Sequence, residues 1–127
     1  MQKTGSIEIT IDYREQIAII SLSGELTTKT YPYAQTQIFP LVKANALMLL
    51  EMSKISYMSS AGLRLMLALY RRITNLDGRL VIVGLSDSIR DVMEITGFLS
   101  FFSTYENLED GIKALIGGET DENTTDQ

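Results

Sequence analysis

"ALMLLEMSKISYMSSAGLRLMLALYRRITNLDGRLVIVGL", Ala46–Leu85, reads as strand, helix, strand. Its opening "ALMLLEMS" is a nearly unbroken apolar run, as expected of a strand covered on both faces. From "SSAGL" onward, Leu63, Met66, Leu67, Tyr70, Ile73 and Thr74 recur at the spacing of an amphipathic helix, with Arg64, Arg71 and Arg72 outside that stripe. Gly78 is expected to end the helix, since glycine takes the left-handed conformation without strain. "RLVIVGL" then supplies a second short buried strand. Two such strands joined by a helix point to a sheet with a right-handed crossover.

The flanking segments extend this pattern. "SIEITID" alternates Ile7, Ile9 and Ile11 with polar residues, the period of a half-buried strand. "QIAIISLSG" is more continuously apolar and belongs nearer the middle of the sheet, with the short "DYREQ" joining the two as a hairpin. "YPYAQTQIFPLVKA" predicts a helix with Pro32 in its first turn, stopped or kinked at Pro40. "SDSIRDVMEIT" predicts another, capped by Ser86 or Ser88, with Ile89, Val92, Met93 and Thr96 on one face and Gly97 closing it. "FLSFFSTY" is a candidate last strand, and "NLEDGIKALIGG" a final helix capped by Asn107 and weakened by Gly111. The expected fold is α/β, a small mixed sheet of four to five strands with crossover helices. Residues 1–117 are expected to form a single domain, since no repeat or linker interrupts them.

Charge and composition narrow the function. Of a net charge of −5, the last ten residues, "GETDENTTDQ", carry four acids and no base. Residues 118–127 are therefore expected to be an acidic, disordered tail. No basic cluster beyond Arg71–Arg72 is present to meet nucleic acid. The chain has no Cys and no His, which removes disulfides, thiolate nucleophiles, Cys-bound zinc and the usual general base near neutral pH. No G-x-S-x-G elbow, phosphate loop, dinucleotide fingerprint or metal-loop spacing occurs, and without His only a Ser–Lys pair could serve, with Lys54 near Ser59 in sequence. Neither an enzyme nor a cofactor nor a metal is expected. "MQKTGSIEITIDY" has no apolar core of a secretory signal, and "ALMLLEM", interrupted by Glu51, is too short to span a bilayer. A cytoplasmic location without membrane insertion is the expectation.

What remains is the junction "YMSSAGL", Tyr57–Leu63, which puts two hydroxyls at the start of the long helix. A helix start has free N–H groups and the positive end of the dipole, so one serine is accounted for as an N-cap. The same geometry suits a phosphate, which would place about −1.5 to −2 charges at one spot. Ala61 and Gly62 leave room for a kinase, and Arg64 follows one turn later. Both readings stand on local physics. The methionines Met48, Met52, Met58, Met66 and Met93 read as core, and Tyr31 and Tyr33 as packing.

"LEMSKISYMSSAGLRLMLALYRRI", followed by "DGRLVIVGLSDSIRDVMEITGF" and preceded by "LSGELT", resembles the STAS domain of bacterial anti-sigma factor antagonists. The likeness runs from about Ser6 to Leu115 and rests on small residues and apolar spacing, with no catalytic signature. Family members commonly read Asp-Ser-Ser/Thr-Gly-Leu at the junction, and a partner anti-sigma kinase phosphorylates the first serine. Matching Gly62–Leu63 makes Ser60 the implied phosphoacceptor. Ser59 then stands in place of the aspartate, Ala61 in place of the second hydroxyl, and Thr27 where an aspartate is frequent.

The resemblance implies a non-enzymatic module that binds an anti-sigma factor of the serine-kinase type and is switched off by phosphorylation at Ser60. A separate, PP2C-like phosphatase would restore binding. The implied partner surface is Gly24, Glu25, Leu26, Thr27 and Thr28 of the "GELTTKT" turn, with Ser59, Ser60, Ala61, Gly62 and Arg64. The alternatives are a constitutive STAS adaptor subunit of a transporter or signalling complex, or a nucleotide-binding or hydrolytic protein.

Overall fold

In the computed structural model, which describes residues 6–117, the apolar alternation of the N-terminus becomes β1 (Ile7–Arg14), antiparallel to β2 (Ile17–Leu26). Pairing continues to Arg14 and Ile17, so the connection shrinks from the expected "DYREQ" to Glu15–Gln16. Glu15 takes a left-handed φ of 58°, as two-residue hairpin turns require. The acidic tail expected at 118–127 lies outside the described residues.

β3 (Leu47–Met58) lies parallel to β2, followed by parallel β4 (Arg79–Val83) and β5 (Ser103–Tyr105), giving the order β1-β2-β3-β4-β5. The buried run "ALMLLEMS" is thus only the first part of β3. "SKISYM" continues it because the register against β2 shifts twice, between Ser21 and Ser23 and between Gly24 and Glu25. These irregularities let polar Ser53, Lys54, Ser56 and Tyr57 point outward while Ile55 and Met58 stay buried.

α1 (Tyr31–Ile38) carries Pro32 in its first turn, and Pro40 sits in a single 3-10 turn, Phe39–Leu41, that ends it. α2 (Ser60–Asn75) crosses from β3 to β4, α3 (Asp87–Ile95) leads to a 3-10 turn at Leu99–Phe101, and α4 (Leu108–Ile116) follows β5. Ser86 caps α3 through its hydroxyl, and Asn107 caps α4. Strand alternation divides the apolar residues between two faces. Ala18, Ile20, Met48, Leu50, Leu80 and Ile82 join α1, α2 and α3 in the larger core. Ile17, Ile19, Leu49, Val81 and Val83 meet α4 on the other side. Met48, Met52, Met58, Met66 and Met93 are all buried in the larger core.

The buried face of α2 is Ala61, Gly62, Leu63, Leu65, Met66, Leu69 and Ile73. It is broader than the expected stripe because α2 packs on β3, β4 and α1 together. Leu67 and Tyr70 flank it half-buried, and Thr74 is exposed. Tyr70 instead meets the rings of Phe101 and Phe102, with centroids 6.0 and 5.5 Å away. On α3, Ile89 and Met93 are buried but Val92 and Thr96 are exposed.

Two glycines serve other ends than expected. The left-handed residue after α2 is Asp77, at φ 63°, not Gly78. Gly78 is needed for close approach, since a Cβ there would lie 2.6 Å from the Ala46 carbonyl oxygen and 2.9 Å from Ile73 Cγ2. Gly111 likewise lets α4 lie on the sheet, where a Cβ would stand 2.5 Å from Val83 Cγ1. Gly78→Ala is therefore expected to lower unfolding stability by about 1–3 kcal/mol, the usual cost of overpacking. A urea titration followed by far-UV circular dichroism measures this; an unchanged midpoint would contradict the close approach.

Candidate functional site

At one end of the sheet, β2 stops at Leu26 and β3 stops at Met58, side by side in parallel register. The chain leaves β2 into a turn, Thr27–Thr30, locked by its own hydroxyls. Thr30, only 4% exposed, donates its Oγ1 hydrogen to the Glu25 carbonyl at 2.7 Å and accepts from the Thr27 N–H at 2.9 Å. Thr27 Oγ1 accepts from the Lys29 N–H at 3.1 Å, and the Thr27 carbonyl accepts from Tyr31 at 2.9 Å. Every polar group of Thr30's side chain is satisfied without water, which fixes the turn's shape.

The chain leaves β3 directly into α2. Ser59 is extended, at φ −92° and ψ −179°, and its Oγ accepts from the Ala61 N–H at 3.1 Å. Its own N–H donates to the Leu26 carbonyl at 2.9 Å, and its carbonyl accepts from Leu63 at 3.1 Å. Ser59 is thus the N-cap and Ser60 the first helical residue. Ser60 is exposed, with its side chain at the rim of a helix whose N-terminal end carries positive partial charge.

The ten candidate surface residues fall into two groups. Thr28, Ser60 and Arg64 are exposed, and Gly24, Glu25, Thr27 and Ser59 are half-buried. Leu26, Ala61 and Gly62 are buried and shape the site from beneath. Gly62 sits against β2, where a Cβ would fall 2.8 Å from the Leu26 carbonyl oxygen and 2.7 Å from Met58 Cγ. Gly24, at φ 121°, lets the Ser6 carbonyl pass where a Cβ would be only 2.4 Å away. Between the turn and α2 runs an open groove of about 330 Å³ lined by Thr28, Tyr31, Pro32, Ala61 and Arg64. Tyr31 and Pro32 were not among the ten. Their place beside "GELTTKT" was the signal, but nothing in the spacing says that α1 begins against the start of α2.

Tyr33 and Tyr57 are about half exposed, at 48% and 53%. Lys54 lies away from the serines, in a polar groove with Glu8, Ser21, Ser23 and Glu51. No cluster of metal-ligating side chains occurs among the described residues, and none of their helices is long and apolar enough to cross a membrane. What this end of the molecule offers is a small, firmly built surface around one exposed hydroxyl, with the exposed Arg64 one turn further along α2.

The STAS domain profile matches residues 8–111. BtrV of Bordetella bronchiseptica is 29% identical over 104 residues, 81% of this chain and 90% of that one. The anti-sigma-B factor antagonist of Listeria monocytogenes is 30% identical over 106 residues, 82% of this chain and 92% of that one. The crystal structure of an anti-sigma factor antagonist from Mycobacterium paratuberculosis superposes with a TM-score of 0.78 at 23% identity, covering 87% of this chain and 94% of that one.

The two serines are separable by stability alone. Ser59→Ala removes the cap and is expected to cost about 1 kcal/mol, whereas Ser60→Ala is expected to stay within about 0.5 kcal/mol of the parent. Thermal and urea unfolding of both variants checks this; equal losses would mean that the cap is shared.

Proposed function

The chain belongs to the STAS domain family, and we propose that it acts as an anti-sigma factor antagonist, a binding module switched by phosphorylation of Ser60. The observation that carries this reading is the division between neighbouring hydroxyls: Ser59 is committed to the cap, while Ser60 is exposed beside it. Unmodified, the domain would dock an anti-sigma factor of the serine-kinase type through the Thr27–Thr30 turn and the first turn of α2. In so doing it would release a sigma factor. A PP2C-like phosphatase would reset the switch, and the setting would be the bacterial cytoplasm.

The departures from the family pattern have physical explanations compatible with this. Aspartate and serine are comparable N-caps, so Ser59 in the aspartate's place keeps the helix start. Thr27, where aspartate is frequent, accepts the Lys29 N–H as an aspartate side chain would. Ala61 lines the groove rather than projecting from the surface. Phosphate on Ser60 would gain from the helix dipole and from Arg64, so modification would leave the fold intact. Its effect would fall on docking, by setting a strong negative charge where a partner's surface must close.

Ser60→Asp is expected to weaken binding to the cognate anti-sigma kinase by at least about tenfold, or ~1.4 kcal/mol. Ser60→Ala should bind like the parent and take up no phosphate from ATP. Isothermal titration with the kinase, paired with intact-mass measurement after incubation with ATP, tests both. Equal affinity of all three forms, with no mass change in the parent, would favour a constitutive adaptor instead.

A further inference from the structure

β1 is the outer strand of the sheet, and among the described residues nothing pairs with its outer edge. Edges of this kind are commonly blunted by proline, bulges or charged side chains, lysine above all. β1, "IEITIDYR", has no proline, lysine or bulge, its charges Glu8, Asp12 and Arg14 are of both signs, and its register against β2 runs without a shift from Ile7 to Arg14. The direction of its backbone groups follows from one bond. The Ser6 carbonyl accepts from the Glu25 N–H at 3.0 Å, so Ser6 and each second residue after it face β2. Ile7, Ile9, Ile11 and Tyr13 therefore turn their N–H and C=O groups outward.

We propose that this edge joins a second copy of the chain, β1 to β1 in antiparallel fashion about a twofold axis at Ile11, to make one continuous ten-stranded sheet. Matching faces requires that odd residues pair with odd, which restricts the choice of register. Centring on Thr10 would set Glu8 opposite Asp12 of the second copy, twice. Centring on Asp12 would set that acid against itself and shorten the overlap. Centring on Ile11 sets Glu8 opposite Arg14 at both ends and Thr10 opposite Asp12, with no like charges directly paired. On the core side it lays Tyr13, 60% exposed, across the half-buried Ile9 of the second copy. Aromatic and β-branched residues are favourable partners across strands.

Ile9, Ile11 and Tyr13 would then exchange about six main-chain hydrogen bonds with the second copy. Arg14 already touches Glu109, with Nη1 and Oε2 3.4 Å apart, but both side chains are at least half exposed. Such a pair is weak and leaves the guanidinium free to turn. Antiparallel union directs the two Ser60 ends away from each other, so both copies keep their candidate sites open. The dimer is bivalent.

Sedimentation velocity of the full chain up to about 1 mM is expected to show reversible dimerisation, weakened about tenfold by Glu8→Arg and recovered in Glu8→Arg/Arg14→Glu. The chain contains no native cysteine, so crosslinking reads the register directly. Thr10→Cys/Asp12→Cys should form a disulfide dimer under mild oxidation, while either single variant should not. A parent that stays monomeric throughout, or a crosslink formed by Thr10→Cys or Asp12→Cys alone, overturns the proposal.

Discussion

The Leu26 carbonyl holds the candidate site together. It accepts the Ser59 N–H at 2.9 Å and so ties the last residue of β2 to the cap of α2. Because Gly62 lacks a side chain, the first turn of α2 settles onto the same carbonyl. This contact sets where α2 starts relative to the sheet, and hence where Ser60 stands. It also brings the Thr27–Thr30 turn, 30 to 33 residues away in sequence, alongside that serine. A looser junction would leave the turn and the helix as two separate surfaces. The packing beneath is what makes them one: Leu26, Met58, Leu63 and Met66 are all buried there. Each such side chain contributes roughly 1.5–3 kcal/mol when withdrawn from water.

Much of this was legible in the sequence because the central strands announce themselves. Ile17–Ile20 and Leu47–Leu50 are continuous apolar runs, and a run of that kind has few homes other than a sheet covered on both faces. The end of β3 was not legible. "SKISYM" has the polarity of a loop, and only pairing with β2 through two register shifts keeps it extended. Pairing is a property of two segments, so no local pattern could report it. The breadth of the α2 face was hidden for a related reason. Leu65 and Leu69 fall outside a narrow stripe until it is known that α1 also lies against the helix.

The glycines make the same point from the other side. Gly97, at φ 83°, terminates α3 by conformation, as its place in the sequence suggested. Gly78, Gly62 and Gly111 are there for want of a side chain, each beneath an atom from a distant segment. A glycine that avoids a clash looks no different in sequence from one that turns the chain. Asp77 took the left-handed position that Gly78 was expected to fill, since aspartate tolerates that conformation better than most residues.

The serine pair was ambiguous for a deeper reason. Capping and phosphate acceptance draw on the same feature, the free N–H groups of a helix start, so residue types alone cannot divide them. Geometry does. A cap must be extended and turned inward onto the N–H groups, whereas a modifiable hydroxyl must face outward. One residue cannot satisfy both demands at once. With the cap on Ser59, a change to the exposed side chain of Ser60 would leave the helix start in place. A charge added there alters the surface and leaves the frame beneath it, built on Leu26 and Gly62, untouched.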